Sequence, residues 1–188
     1  MSSHHIVREK QEPALLIANL KGFNYENLGQ LLEWSPTVVV TESEYENVDS
    51  LGIKIDAVIS SRLTPDLQES TLVIHSEFDP VVDALDFLIS EEYPSVNIII
   101  DQINLKGFER FLGRIDLVFL TPQQRLFPIH PGFSKWKAAN EPVEVLTPIS
   151  NLETQGLKKM SDKHYVTEKD GFYSLLFDEK FVFIAENI

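Results

Sequence analysis

The 188-residue chain contains no cysteine and only eight glycines. Without a thiol there can be no disulfide, no thiolate nucleophile and no cysteine-ligated zinc, and the expected compartment is the cytoplasm. The glycines are scattered, with neither Gly-x-Gly-x-x-Gly nor P-loop spacing, so neither kind of glycine-built phosphate cradle is present. No apolar run approaches the roughly 20 residues of a membrane span. The longest, around residues 96–100, is strand length. The start, Met1-Ser2-Ser3-His4-His5, has no basic region leading into an apolar stretch, so no secretory signal is predicted. Basic residues are scarce: 16 Lys and Arg stand against 29 Asp and Glu, a net charge of −13. Nucleic acid is therefore not an expected partner, because Lys and Arg must displace its phosphate counterions. A membrane is not expected either.

What is present is ordinary globular material. A hydrophobic content of 43% with 24% charged residues is enough for a packed core, and the length suits one domain or two small ones. The acid excess is uneven. Residues 1–120 hold 20 acidic and 8 basic residues, net −12, whereas residues 121–188 hold 9 and 8, net −1. This asymmetry divides the chain into two regions with different jobs.

The hydrophobic rhythm changes at the same place. Up to about residue 120, short apolar runs alternate with helical patterns. Ala14-Leu15-Leu16-Ile17-Ala18, bounded by Pro13, and Thr37-Val38-Val39-Val40 read as buried strands. Residues 55–59, 71–74, 96–100 and 115–120 continue the series. Between them, Asn24 caps a predicted helix carrying Leu28, Leu31 and Leu32. Thr41-Glu42-Ser43-Glu44 has the form of a capping box, with Gly52 as the stop. Asp79-Pro80 opens a third helix, with an apolar stripe of Val82, Leu85, Phe87, Leu88 and Ile89. Strands and helices alternating at this spacing predict an α/β fold, a mostly parallel Rossmann-like sheet with helices on both faces. Beyond Thr121-Pro122 the pattern is short strands and turns: Leu126-Phe127, Val143-Glu144-Val145-Leu146, and residues 172–177 and 181–185. These predict a small antiparallel β-sandwich over residues 121–188. Its aromatics Phe172, Tyr173, Phe177, Phe181 and Phe183 are expected in the core.

Generic catalytic motifs are absent. His4, His5, His75, His130 and His164 have no metal-ligand spacing, and no Gly-x-Ser-x-Gly elbow surrounds a serine. Glu42, Glu44, Glu46 and Asp49 form an acidic run, but Glu42 and Glu44 point to different helix faces, and acids in a first turn complement the helix dipole. Glu77, Asp79 and Asp83 sit at a strand-to-helix junction on the expected carboxyl edge of the sheet, where open α/β sheets bind ligands. Asp79 is at the same time a helix cap.

Four segments, Leu15-Leu16-Ile17-Ala18-Asn19, Leu51-Gly52-Ile53-Lys54-Ile55-Asp56, Asp83-Ala84-Leu85-Asp86-Phe87-Leu88 and Glu153-Thr154-Gln155-Gly156-Leu157-Lys158, in this order resemble the thiamine pyrophosphokinase family. Leu15-Leu16-Ile17-Ala18-Asn19 is similar to its first strand, which usually reads I-L-A-N-G. Leu51-Gly52-Ile53-Lys54-Ile55-Asp56 resembles its L-G-I-K-P-D stretch, and Asp83-Ala84-Leu85-Asp86-Phe87-Leu88 resembles the helix after its T-D pair. Glu153-Thr154-Gln155-Gly156-Leu157-Lys158 resembles the T-x-G-L-K segment of its β domain. The resemblance spans roughly residues 14–185. It implies a homodimer that moves pyrophosphate from ATP to the hydroxyl of thiamine with Mg²⁺ as cofactor. It also implies a nucleotide-binding role for Asn19 within residues 1–120, and thiamine-binding roles for Thr154, Gly156 and Leu157 within residues 121–188.

The departures fall on the chemistry. Where the family has Gly-Asp-Phe-Asp-Ser, this chain has Ser60-Ser61-Arg62-Leu63-Thr64, so two aspartates are lost and an arginine is gained. Thr41-Glu42 replaces Asp-Gly, and the family's Asp-x-x-Asp falls on Glu77-Phe78-Asp79-Pro80. Residues 102–113 contain no histidine where Gly-Arg-x-Asp-His is expected. Transfer from ATP depends on positioning and on Mg²⁺ neutralising phosphate charge, and Mg²⁺ requires carboxylates that Ser61, Leu63 and Pro80 cannot supply. Arg62 can meet a phosphate directly. The chain is thus expected to be a catalytically impaired homologue kept for ligand binding or interaction. The alternative is an active enzyme with a rearranged metal site built from Glu77, Asp79 and Glu42.

Overall fold

The computed structural model describes residues 12–62 and 67–188; the first five residues, and Leu63 and Thr64 of the altered motif, lie outside them. The chain forms two compact units, Met1–Leu117 and Val118–Ile188.

In the first unit, strands β1 (Ala14–Ile17), β2 (Val38–Thr41), β3 (Ala57–Ser60), β4 (Leu72–His75) and β5 (Ser95–Ile99) alternate with helices α1 (Tyr25–Leu32), α2 (Glu42–Ser50) and α3 (Pro80–Ser90). All their ladders are parallel, in the order β5-β1-β2-β3-β4. Every residue of β1, β2 and β3 is buried, as expected where both faces of a parallel strand are covered. Crossovers from β1 to β4 progress one way and the return through α3 to β5 runs the other way. Right-handed connection therefore puts α3 on the opposite face from α1 and α2. The core joins Leu15, Ile17, Val39, Ile59 and Ile98 to Leu28, Tyr45, Val48, Leu85 and Leu88 of the helices.

Two caps form as the sequence predicts. Asn24 Oδ1 accepts from Glu26 N at 2.7 Å, and Asp79 Oδ1 accepts from Val81 N at 2.9 Å and Val82 N at 3.2 Å. The predicted capping box does not form. Thr41 is the N-cap of α2 but makes no side-chain cap bond. Its hydroxyl instead donates to the Ala18 carbonyl at 3.2 Å and lies 3.1 Å from Ser43 Oγ. A threonine hydroxyl bonded to a nearby carbonyl is not available to cap the helix.

Strand β6 (Asp116–Leu120) begins in the first unit and ends in the second. The second unit holds β7 (Gln124–Ile129), β8 (Phe133–Lys137), β9 (Pro142–Val145), β10 (Glu153–Gln155), β11 (Leu157–Lys159), β12 (His164–Thr167), β13 (Gly171–Leu176) and β14 (Val182–Asn187). No helix occurs there among the described residues. Its ladders are antiparallel: β11-β12-β9-β14-β7 form one sheet, with the end of β6 on β7, and β10-β13-β8 form a second. Both sheets feed one core. Ile129, Val143, Val145, Tyr165, Val182 and Ile184 come from the first, and Tyr173 and Leu175 from the second.

The aromatic expectation needs correction at Phe172. Tyr173, Phe177 and Phe183 are buried, but Phe172 faces solvent and Phe181 is half-buried against His130, ring centres 4.5 Å apart. Tyr173 and Phe172 are adjacent on β13, so a strand's two-residue period sends them to opposite faces.

Candidate functional site

The carboxyl ends of β2, β3 and β4 open into a cleft of about 380 Å³ lined by Thr41, Glu42, Ser43, Ile59, Ser61, Arg62, Ser76 and Pro80. Parallel strands deliver these residues together because each strand ends at the same edge and hands over to a loop or helix. Among the described residues that line it, Arg62 is the one with a cationic side chain. Three described carboxylates at or beside the cleft, Glu42, Asp79 and Asp83, are committed within the chain. Glu42 Oε2 accepts from the Ser60 hydroxyl at 2.7 Å and from Ser61 N at 3.3 Å, tying the start of α2 to the end of β3. Asp83 Oδ2 accepts from the Ser76 hydroxyl at 2.8 Å, Glu77 N at 3.0 Å and Phe78 N at 3.4 Å, fixing the turn between β4 and α3. Asp79 is the cap of α3, and Glu77 is exposed beside the cleft.

Of the residues singled out from the sequence, Arg62 and Glu42 line this cleft, and Glu77 and Asp79 flank it between Ser76 and Pro80. Asn19 lies apart from them, after β1, where its N–H bonds to the Ile99 carbonyl at 3.1 Å and its Oδ1 accepts from Lys21 N at 2.8 Å. That position lies between β1 and β5, where the strand order reverses. Ser76, which also lines the cleft, carries no pattern in the sequence that marks it.

In the second unit, Thr154, Gly156 and Leu157 occupy the step from one sheet to the other. Thr154 on β10 pairs with the fully buried Leu175 and shares its inward face. Leu157, on β11, is buried in the core. Gly156 stands between β10 and β11 at φ +70°, where an added Cβ would lie 2.7 Å from the Phe172 carbonyl oxygen. These residues are built into the fold at a chain crossover.

The strongest electrostatic feature of the second unit is not marked by any motif. The Glu186 carboxylate is 0% exposed. Its Oε1 accepts from the Tyr173 hydroxyl at 2.7 Å, and its Oε2 accepts from Arg125 Nη2 at 2.7 Å and from Lys135 Nζ. Lys137 Nζ stands 3.7 Å from Oε1. Burial pushes the carboxyl up, but donation from Lys135, Arg125 and Tyr173 outweighs it and holds the group at about 2. Tyr173 is pushed well above the ordinary phenol value by burial, and further by its bond to Glu186. One signal in the sequence points to Glu186. It falls in two-residue phase with the buried Val182 and Ile184, which places an acid on the core face.

The Mg²⁺ that the family resemblance implies needs several carboxylate oxygens converging on one point. Among the described residues, no group of three or more His, Asp or Glu is placed to hold a metal. Glu42, Asp79 and Asp83 direct oxygens to backbone N–H groups and serines, and a guanidinium lines the same cleft. Among the described residues, the donor set does not fit the ion.

No family model and no curated protein matches the chain. Solved structures do. A thiamine pyrophosphokinase from Bacillus subtilis is similar at TM-score 0.65 and 11% identity, covering 94% of this chain and 99% of the other. That from Candida albicans reaches TM-score 0.67 at 11% identity, covering 95% and 90%. The yeast thiamin pyrophosphokinase reaches 0.64 at 11%, covering 97% and 88%. Across both units, then, this chain has the fold of the thiamine pyrophosphokinases.

Proposed function

We propose that this chain is a thiamine pyrophosphokinase-like protein of the cytoplasm in which pyrophosphate transfer is impaired and ligand binding is retained. Residues 1–120 act as the nucleotide-binding-type domain and residues 121–188 as the thiamine-binding-type domain, with thiamine or a related small molecule as ligand. The observation that carries this reading is the commitment of Glu42, Asp79 and Asp83 to intrachain hydrogen bonds around a cleft lined by Arg62. Phosphoryl transfer at Mg²⁺ needs carboxylate oxygens free to hold the ion, and these three are engaged within the chain.

Purified protein incubated with ATP, Mg²⁺ and thiamine is expected to form no AMP or thiamine diphosphate above background. Turnover of ~1 s⁻¹, in the ordinary enzyme range, would refute impairment. Calorimetric titration of the same sample with thiamine is expected to show saturable heat. Absence of heat with thiamine, thiamine diphosphate, AMP and ATP alike would remove the ligand-binding half of the proposal.

The protein is further proposed to be a homodimer joined through its nearly neutral second unit. The outer face of the β10-β13-β8 sheet supports this: Trp136 (55% exposed) lies directly opposite Phe172 (73% exposed), with Leu176 on the same face. Exposed apolar side chains grouped in this way mark interaction surfaces, and twofold dimers are the commonest assembly. Light scattering at micromolar concentration is expected to give about twice 21.5 kDa, falling to the single-chain mass in Trp136→Lys. A single-chain mass for the unaltered protein would overturn the dimer.

A further inference from the structure

Strand β4 closes the parallel sheet of the first unit, and among the described residues nothing pairs with its outer edge. The Leu72 N–H bonds to the Asp56 carbonyl and the Ser76 N–H to the Ser60 carbonyl, both toward β3. Alternate residues of a parallel strand direct their polar groups to opposite sides, so Val73 and His75 present N–H and C=O to the open edge. The side chains along it are apolar and unusually bare: Leu72 is 52% and Val73 44% exposed, and Phe78 just beyond is almost wholly exposed.

Edge strands are normally blunted by lysine, proline or short length. The other described edges follow that rule. β11 ends in Lys158 and Lys159, β8 carries Lys135 and Lys137, and β10 has three residues including Glu153. Thr71-Leu72-Val73-Ile74-His75-Ser76 contains neither acid, lysine, arginine nor proline. The charges lie outside the strand, and all are acidic: Glu69 before it, Glu77 and Asp79 after it, each exposed.

We propose that the open edge of β4 is a docking site for an extended, basic-flanked apolar peptide segment of another protein, added to the sheet as a further strand. Main-chain bonds to Val73 and His75 supply the register, and the exposed apolar side chains supply contact area. The acidic rim selects the charge of the partner and argues against a second copy of this chain. Twofold antiparallel pairing of β4 centred on Val73 sets Glu69 directly against Glu77, twice. Centred on Ile74, it sets Glu69 against Asp79. Like charges directly opposite across a ladder are destabilising, whereas lysines at those places in a partner strand are complementary.

The probe is a nine-residue synthetic peptide of alternating valine and threonine with lysine at both ends, and its control has glutamate at both ends. At about 50 mM salt, where surface charges are weakly screened, the lysine peptide is expected to bind the full chain and to slow hydrogen exchange at Val73 and His75 N–H. The glutamate peptide should bind at least tenfold more weakly, and Glu69→Gln with Glu77→Gln should weaken the lysine peptide several-fold. Val73→Pro removes only an N–H that points away from β3, so its thermal melting should match the unaltered protein while binding is lost. If Val73→Pro melts much lower, His75→Pro, likewise outward, takes its place. Equal affinity for both peptides, protection elsewhere than at the β4 edge, or no binding of either overturns the proposal. So does a self-associated species that Val73→Pro dissociates.

Discussion

Glu186→Gln is expected to lower the stability of the second unit by about 3 kcal/mol at neutral pH, the range for removing one partner of a buried charge cluster. The neutral amide leaves Lys137 with its 11% exposed side chain, together with Arg125 and Lys135, facing a site that no longer offers a charge. The effect should depend on pH in a definite sense. The carboxyl is held at about 2 in the folded protein, below its ordinary 4.5. Its contribution is therefore fully present above about 4.5 and lost as pH falls toward 2. Urea unfolding followed by Trp136 fluorescence, in a Trp34→Phe background, isolates the second unit. The stability gap between the protein with Glu186 intact and the Glu186→Gln variant should be full at pH 7 and narrow steadily below pH 4.5. A gap that does not change with pH would show that shape alone, and not charge, is lost.

Gly156→Ala is expected to cost about 3 kcal/mol. A side chain at φ +70° carries roughly 1–2 kcal/mol of backbone strain. The new Cβ also meets backbone, with the Phe172 oxygen at 2.7 Å and Tyr173 Cα at 3.3 Å, which cannot rotate away as a side chain would. Any displacement of β13 there moves Tyr173, and with it the hydroxyl on Glu186. Gly52→Ala is the control: φ is again +70°, but nothing lies within 4 Å of the added atom, so only the strain of about 1 kcal/mol applies. Denaturant midpoints should separate the two variants clearly. Equal losses would mean that the crossover yields to the methyl group and that the close approach is unimportant.

The parts of the fold that are legible in the sequence are those decided within a few residues. Pro13 followed by four buried apolar residues, three consecutive valines in β2, and Asp79-Pro80 ahead of α3 each state their structure locally. β8 is hidden for the opposite reason. Its inward positions include Lys135 and Lys137, so its pattern reads as polar on both faces until Glu186, 51 residues beyond Lys135, is placed beside them. β10 and β11 are too short for periodicity to register. The cleft is half legible. Arg62 and the loss of acids can be read from the motif, but the bond from Ser60 to Glu42 spans 18 residues and two parallel strands. The capping box shows the limit of local rules, since Thr41 answers to Ala18 rather than to its own helix.

The position of β14 has a consequence for how the molecule is made. It lies between β7 and β9, yet it follows both in the chain. As the polypeptide emerges, those two strands must wait, each with one side unsatisfied, until residues 182–187 have been synthesised. Non-local closure of this kind is slow, and exposed strand edges are sticky in the interval. The parallel sheet of the first unit has all its strands by residue 99 and can form earlier. Assembly in the cell should therefore proceed in two stages, with chaperone dependence concentrated in the second.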